Sequence, residues 1–223
     1  MSINIDQNIG FRSSGATIQL AYPTAISGGA LLTLEACGSS LVVSTITDSA
    51  GNLWKLAVDC MTTLGQKSQI WYAENAIGST NTLTITSEAP TNQLQLSAQS
   101  WSGCSTAFAL QAVSSHALVT ASTHTPGSVS PTPSTMLFIV NYAFVSAFDI
   151  ISDPVGYVAL NSTFTSMQSF FRITTSTTTE NPEVTSSNTE ITVNVIAAFS
   201  GGSQAAPPSG SKRRYGLALM GVG

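Results

Sequence analysis

The sequence predicts an all-β protein: an antiparallel two-sheet β-sandwich, jelly-roll-like or Ig-like, of about twelve strands with an extended C-terminal tail. Three observations predict it. Period-two segments bounded by Gly, Pro, Asn or Asp recur at roughly ten-residue spacing. No window carries a convincing amphipathic helical pattern. Ser and Thr supply 61 of the 223 residues while charged side chains supply 8%, against about a quarter in ordinary globular chains. Thr favours a pleated, half-exposed surface, so hydroxyls stand here where charges would.

The elements follow in order. Residues 1–15 read as an N-terminal arm, and the domain is expected over 16–200. Its first strands are Ala16 to Tyr22 and Ala30 to Cys37, the latter with leucines at 31, 32 and 34 that allow burial on both faces. Leu41 to Thr47 and Leu53 to Asp59 flank Asp48-Ser-Ala-Gly-Asn52. A Gly able to take positive φ, with Asp and Asn able to bond the backbone locally, makes that segment a hairpin turn. Ser68 to Glu74 and Thr82 to Ser87 come next. In the second, Leu83 and Ile85 alternate with Thr82, Thr84 and Thr86, which predicts an apolar face in and a hydroxyl face out. Glu88 to Gln93 breaks the pattern at Pro90, and Leu94 to Trp101 and Ala107 to Val113 follow it.

Thr123 to Pro133 reads as a surface crossover loop. Met136 to Phe144 is the most apolar strand. Gly156 to Leu160 follows the turn Asp153-Pro-Val-Gly156, and Met167 to Thr174 leads into a hydroxyl-rich surface excursion to Thr189. In Glu190 to Phe199, Ile191, Val193 and Val195 alternate with Thr192, Asn194 and Ile196, the first set expected inward and the second outward. Trp54, Trp71 and Trp101 are expected to anchor the core, the alternative for any one being an aromatic sugar platform. Residues 201–211 form a Gly/Ser/Pro-rich linker, and 212–223 a basic, apolar docking tail.

Charge is sorted along the chain. The formal net charge is −4, yet residues 1–211 hold all eleven acids and only Arg12, Lys55, Lys67 and Arg172, while Lys212, Arg213 and Arg214 sit together. Three adjacent cations on an acidic protein point to docking on an acidic protein surface rather than on nucleic acid. With them, Tyr215, Leu217, Leu219 and Met220 form the candidate partner-docking set, adding to a neighbour's sheet or filling its groove; folding back on the body is the bland alternative. The longest apolar run, Met136 to Val140, is strand-sized, so no membrane insertion is expected. The opening residues lack the basic and apolar regions of a secretory signal. With Cys37, Cys60 and Cys104 in neither a framework nor a zinc spacing, this suits synthesis in a reducing cytoplasm; free thiols are expected, one disulfide with a spare being the alternative.

The residues name no chemistry. His116 and His124 form no His-x-His pair and are expected at the surface or in loops; no metal, cofactor or catalytic residue is expected. No Gly-x-Ser-x-Gly elbow appears. Asp48, Glu88, Asp149, Asp153, Glu180 and Glu183 fall at turns or loops, where solvated carboxylates are ordinary, although two of them close together in a cleft would indicate a glycosidase. Asp48 to Asn52 lacks the alternating acids of a Ca²⁺ loop. Asn161-Ser-Thr163 matches a glycosylation sequon, which carries little without an export signal.

Thr45-Ile-Thr-Asp-Ser-Ala-Gly-Asn-Leu-Trp54, Gln69-Ile-Trp-Tyr-Ala-Glu-Asn75, Gly78-Ser-Thr-Asn-Thr-Leu-Thr-Ile-Thr86 and Trp101-Ser-Gly103 together resemble a family of β-sandwich modules. These modules occur in bacterial surface proteins and in tailed-phage virion structural proteins. The likeness covers roughly residues 17–199 and involves turn and core positions, so it implies a fold and no catalytic residue. The missing signal and the basic tail resemble the phage members. The resemblance implies a non-enzymatic virion protein, a head decoration protein or a tail or fibre component. It would be made in the host cytoplasm and contact copies of itself and other capsid or tail proteins. The alternative is a carbohydrate-binding or adhesion module on a cell or virion surface, with a host-surface glycan as ligand.

Overall fold

The computed structural model describes residues 2–39, 43–87, 94–130, 135–145, 150–160, 166–175 and 178–202. The docking set from Lys212 to Met220, the turn Glu88 to Gln93, Asp149 and the sequon at Asn161 lie outside the described residues. The strands are β1 (Asn4–Ser13), β2 (Thr17–Ala21), β3 (Leu31–Ser39), β4 (Val43–Asp48), β5 (Lys55–Met61), β6 (Gln66–Ala73) and β7 (Thr82–Ser87). They continue as β8 (Leu94–Ser102), β9 (Leu110–His124), β10 (Met136–Phe144), β11 (Ile150–Ser152), β12 (Val158–Ala159), β13 (Met167–Thr174) and β14 (Val184–Ser200). Each pairing is antiparallel.

The all-β, antiparallel sandwich stands, but its sheets number three rather than two. A central sheet runs β1-β8-β3-β6-β5; a small one runs β2-β7-β4; a large one runs β11-β14-β10-β13-β12, with β9 also on β14. The central sheet is covered on both sides. Ile18, Leu20, Ile46, Leu83 and Ile85 of the small sheet pack on Leu32, Leu34 and Leu96. On the other side Leu31, Ile70, Tyr72 and Trp101 meet Leu137, Ile139, Val195 and Phe199 of the large sheet. This is why β3 carries leucines in both phases, each fully buried and each contributing about 1.5–3 kcal/mol of transfer free energy. All three tryptophans are buried.

Four local expectations are corrected by this layering. Asp48 to Asn52 is no hairpin: β4 pairs with β7 and β5 with β6, so the turn carries the chain from one sheet to another. Residues 1–15 hold β1, paired with β8 along its length, rather than a free arm. β14 buries Thr192, Asn194 and Ile196 as well as Val193 and Val195, because its outer face is crossed by residues 125–130 and 180–183. Asn194 Nδ2 donates to the Thr125 carbonyl and Tyr142 OH to that of Pro182, and Val129 joins the cluster of Phe138, Val140, Tyr142 and Phe170 on that face. Finally, only His116 is exposed. His124 ends the long β9, buried against Phe144. The three cysteines are free thiols, Cys37 and Cys104 buried and Cys60 half-buried; burial pushes the first two up to about 12, which leaves them protonated and unreactive.

Candidate interaction site

The described chain begins and ends at the same place. Gly103 follows β8 with φ +79, and a Cβ there would overlap the Ser2 carbonyl, so glycine lets the N-terminal residues lie across it. Gly201 N donates to the Thr135 carbonyl at 2.7 Å and Gly202 N to that of Gly103 at 2.8 Å. Residues 2–4 and 200–202 therefore flank one loop.

That loop, Ser105 to Ala109, presents Phe108 with φ +54 and its side chain 86% exposed. Both sides of it are anchored. Ser105 N donates to the Ser200 carbonyl, and Ala109 N donates to Glu74 Oε2 at 2.9 Å, while Lys55 Nζ reaches Glu74 Oε1 at 2.6 Å. Burial opposes ionisation of Glu74, but these donors outweigh it and hold its carboxyl below the usual range.

The same end carries Leu53, 74% exposed, and Ile77, 53% exposed. Asp48 fixes them. Its Oδ1 accepts from Ala50 N and Asn52 N, and its Oδ2 from Asn52 Nδ2, Trp54 Nε1 and Asn81 Nδ2. Asn52 Oδ1 then accepts from Ile77 N at 2.7 Å. The aspartate is a corner brace.

A second feature lies at the start of β14, at the opposite end of that strand from Gly202. Asp153, Tyr157, Arg172, Glu180, Asn181 and Glu183 line a pocket of about 410 Å³. Arg172 Nη1 donates to Glu180 Oε2 at 3.0 Å and Tyr157 OH donates to the same oxygen at 3.2 Å. The positive φ of Gly156 folds the Asp153–Gly156 turn over the Arg172 guanidinium. Burial, then the Glu180 charge, raise the Tyr157 phenol well above its usual range. Glu180 is 4% exposed, and its Oε1 is buried without a hydrogen-bond partner.

The sequence marked Asp153, Glu180 and Glu183 as loop carboxylates, two of which close together in a cleft would indicate a glycosidase; the structure lines one pocket with all three, Glu180 being bonded there to Arg172 and Tyr157. Tyr157 and Arg172 escaped notice because their bonds to Glu180 come from other segments of the chain, 23 and 8 residues away. Phe108 escaped because an exposed aromatic has no periodic signature. Among the described residues no set of three His, Cys, Asp or Glu side chains is arranged to hold a metal, and no helix is long and apolar enough to cross a membrane.

Comparison with protein-family models, with curated proteins and with solved structures gave no match.

Proposed function

We propose that the chain is a non-enzymatic structural protein of a tailed-phage virion, a head decoration protein or a tail or fibre component. It assembles with copies of itself and with other virion proteins through its ends and its charge-poor surface. The observation that carries this reading is the set of large apolar side chains, Phe108, Leu53 and Ile77, held in solvent at the end where residues 2–4 meet 200–202. A left-handed backbone at Phe108 costs about 1–2 kcal/mol, and the exposed ring returns little packing within its own chain. A neighbouring subunit offsets both costs by covering the ring. The body supports the same use. Lys55, Lys67 and Arg172 are each paired with a carboxylate, which leaves a surface suited to close apposition.

Deleting residues 203–223 is expected to leave a β domain with unchanged far-ultraviolet circular dichroism that no longer co-purifies with assembled particles. Normal incorporation of the truncated chain would remove the role of the tail. Saturable binding of the intact chain on a glycan array, without particle association, would replace this reading with that of an adhesion module. Cleavage of a bound glycan would indicate a depolymerase.

A further inference from the structure

The pocket at the start of β14 has an excess of negative charge. Asp153, Glu180 and Glu183 line it against the single cation Arg172, and that cation is already bonded to Glu180. Asp153 and Glu183 are exposed and have no ion-pair partner among the described residues. Glu180, more than nine-tenths buried, keeps Oε1 without a donor. Leaving a buried carboxylate oxygen unpaired is costly, and a cationic donor entering the pocket would relieve it. The Tyr157 ring, already about 5.9 Å from the Arg172 guanidinium, provides an aromatic wall beside the acids.

The matching cation source is in the same sequence, since Lys212, Arg213 and Arg214 are three of its seven basic residues. Geometry favours its use between chains. Val184 pairs with His124 and Phe199 with Leu110, so the two ends of β14 lie roughly 45 Å apart at about 3.3 Å per residue of β9. The pocket precedes the first of these pairs and Gly202 follows the last. The eleven residues from Gly202 to Arg213 span at most about 40 Å fully extended, and must also round the surface.

We propose that this pocket receives the Lys212–Arg214 cluster of a second copy. The inference rests on the assembly reading and deepens it by naming the contact. The socket and Gly202 lie at opposite ends of β14, so two copies can make the contact twice in an antiparallel closed pair, or once per copy in head-to-tail rings or filaments.

The test is sedimentation velocity of the full chain across ionic strength. Three variants are compared with it: Lys212→Glu/Arg213→Glu/Arg214→Glu, Asp153→Lys/Glu183→Lys, and the two sets combined. Wild type is expected to associate at low salt and to dissociate as salt screens the contact. Either single set should weaken association by about tenfold or more, and the combined charge swap should restore it. The tail set leaves the described body untouched, so it remains decisive if the pocket set misfolds. Association of the tail variant equal to wild type would overturn this contact while leaving assembly through another surface intact. A wild-type chain that stays monomeric and binds an oligosaccharide in this pocket would overturn the contact and the assembly reading together.

Discussion

Asp48 accepts five hydrogen bonds on one carboxylate. Burial works against its charge, but the donors from Trp54, Asn52 and Asn81 outweigh it and hold the carboxyl below its usual range. A depressed carboxylate stabilises the fold above the ordinary pKa of about 3.9, and that contribution is lost as pH falls through the folded value. Asp48→Ala strips the acceptor from the Trp54 indole and the Asn81 amide, and is expected to cost about 2 kcal/mol or more. A urea titration would show this as a lower midpoint at neutral pH, and an unchanged midpoint would rule out the brace. Glu35 works in the opposite sense. It sits on the face of β3 that looks toward the large sheet, between Thr33 and Cys37, and neither oxygen has a hydrogen-bond partner. Its polar neighbours bond one another instead: Trp101 Nε1 to Thr33 Oγ1, Thr33 Oγ1 to Gln99 Oε1, and Gln99 Nε2 to Ser97 Oγ. Burial pushes Glu35 up to about 8. Folding therefore favours the neutral acid. Its contribution is complete below the unfolded pKa of about 4.3 and falls as pH rises through the folded value, by about 1.4 kcal/mol per pH unit. Glu35→Gln stays neutral throughout, so it should be the more stable form at about pH 8 and should show the flatter midpoint profile between about pH 5 and 8. Parallel profiles for the two proteins would reject the account. His124 adds acid sensitivity. Ser186 Oγ donates to the Asn188 carbonyl and so accepts from His124 Nε2, while Nδ1 faces Thr192 Oγ1. Burial lowers the ring below its usual range, with Glu190 opposing, so stability falls as pH drops below about 6.5.

Strand β1 illustrates what alternation conveys and what it conceals. Ile3, Ile5, Ile9 and Phe11 share one phase in the sequence, yet the pairing with β8 slips between Ile5 and Gln7. One extra residue turns the strand over. Ile3 and Ile5 pack toward the large sheet, and Ile9 and Phe11 toward the small one. A bulge has no pattern of its own, so period-two reading lost a strand that serves two cores. Where a strand stays on one register the reading was good: β7, β10 and β13 run as expected from Thr82 to Ser87, Met136 to Phe144 and Met167 to Thr174. Layer count was not legible, because a turn that crosses between sheets has the same residues as a hairpin turn, and Asp48 declares its role only through Trp54 and Asn81. Nor was the polar seam between the central and large sheets, where Asn141 Nδ2 donates to Ser68 Oγ and Ser169 Oγ to Asn141 Oδ1. Polar residues in the inward phase look solvated until a partner sheet is known. The docking of β1 yields a prediction at this scale. Gly103→Ala would place a methyl group against the Ser2 backbone at a φ that disfavours any side chain, costing about 2 kcal/mol or more. Hydrogen exchange should localise the loss to the amides of β1. Protection there equal to wild type would mean that Gly103 does not pin the strand.

The scarcity of charge is a property of the whole molecule, and the structure shows where the remaining charges act. Lys55 ties β5 to the end of β6, Lys67 pairs with Asp59, and Arg172 sits under the 153–156 turn. These cations hold corners and edges rather than dress a solvated shell. The surface is left to hydroxyls, to the outer strands β1, β5, β9 and β12, and to apolar side chains. If the molecule assembles as proposed, stability and association pull in different directions at Phe108. Asn tolerates the left-handed region far better than Phe, and a side chain 86% exposed gives up little packing within its own chain when shortened. The backbone hydrogen bond from Gln111 Nε2 to the residue 108 carbonyl does not depend on the side chain. Phe108→Asn is therefore expected to raise stability by about 1 kcal/mol, which would shift the melting temperature up by roughly 2–4 °C for a domain of this size. The same change should reduce association of the full chain, because the ring that a neighbour would cover is gone. Calorimetry and sedimentation on one preparation read both effects. A variant that is less stable than wild type would mean that Phe108 belongs to the fold's own packing. A variant that is more stable yet associates normally would mean that partners meet this molecule elsewhere on its surface.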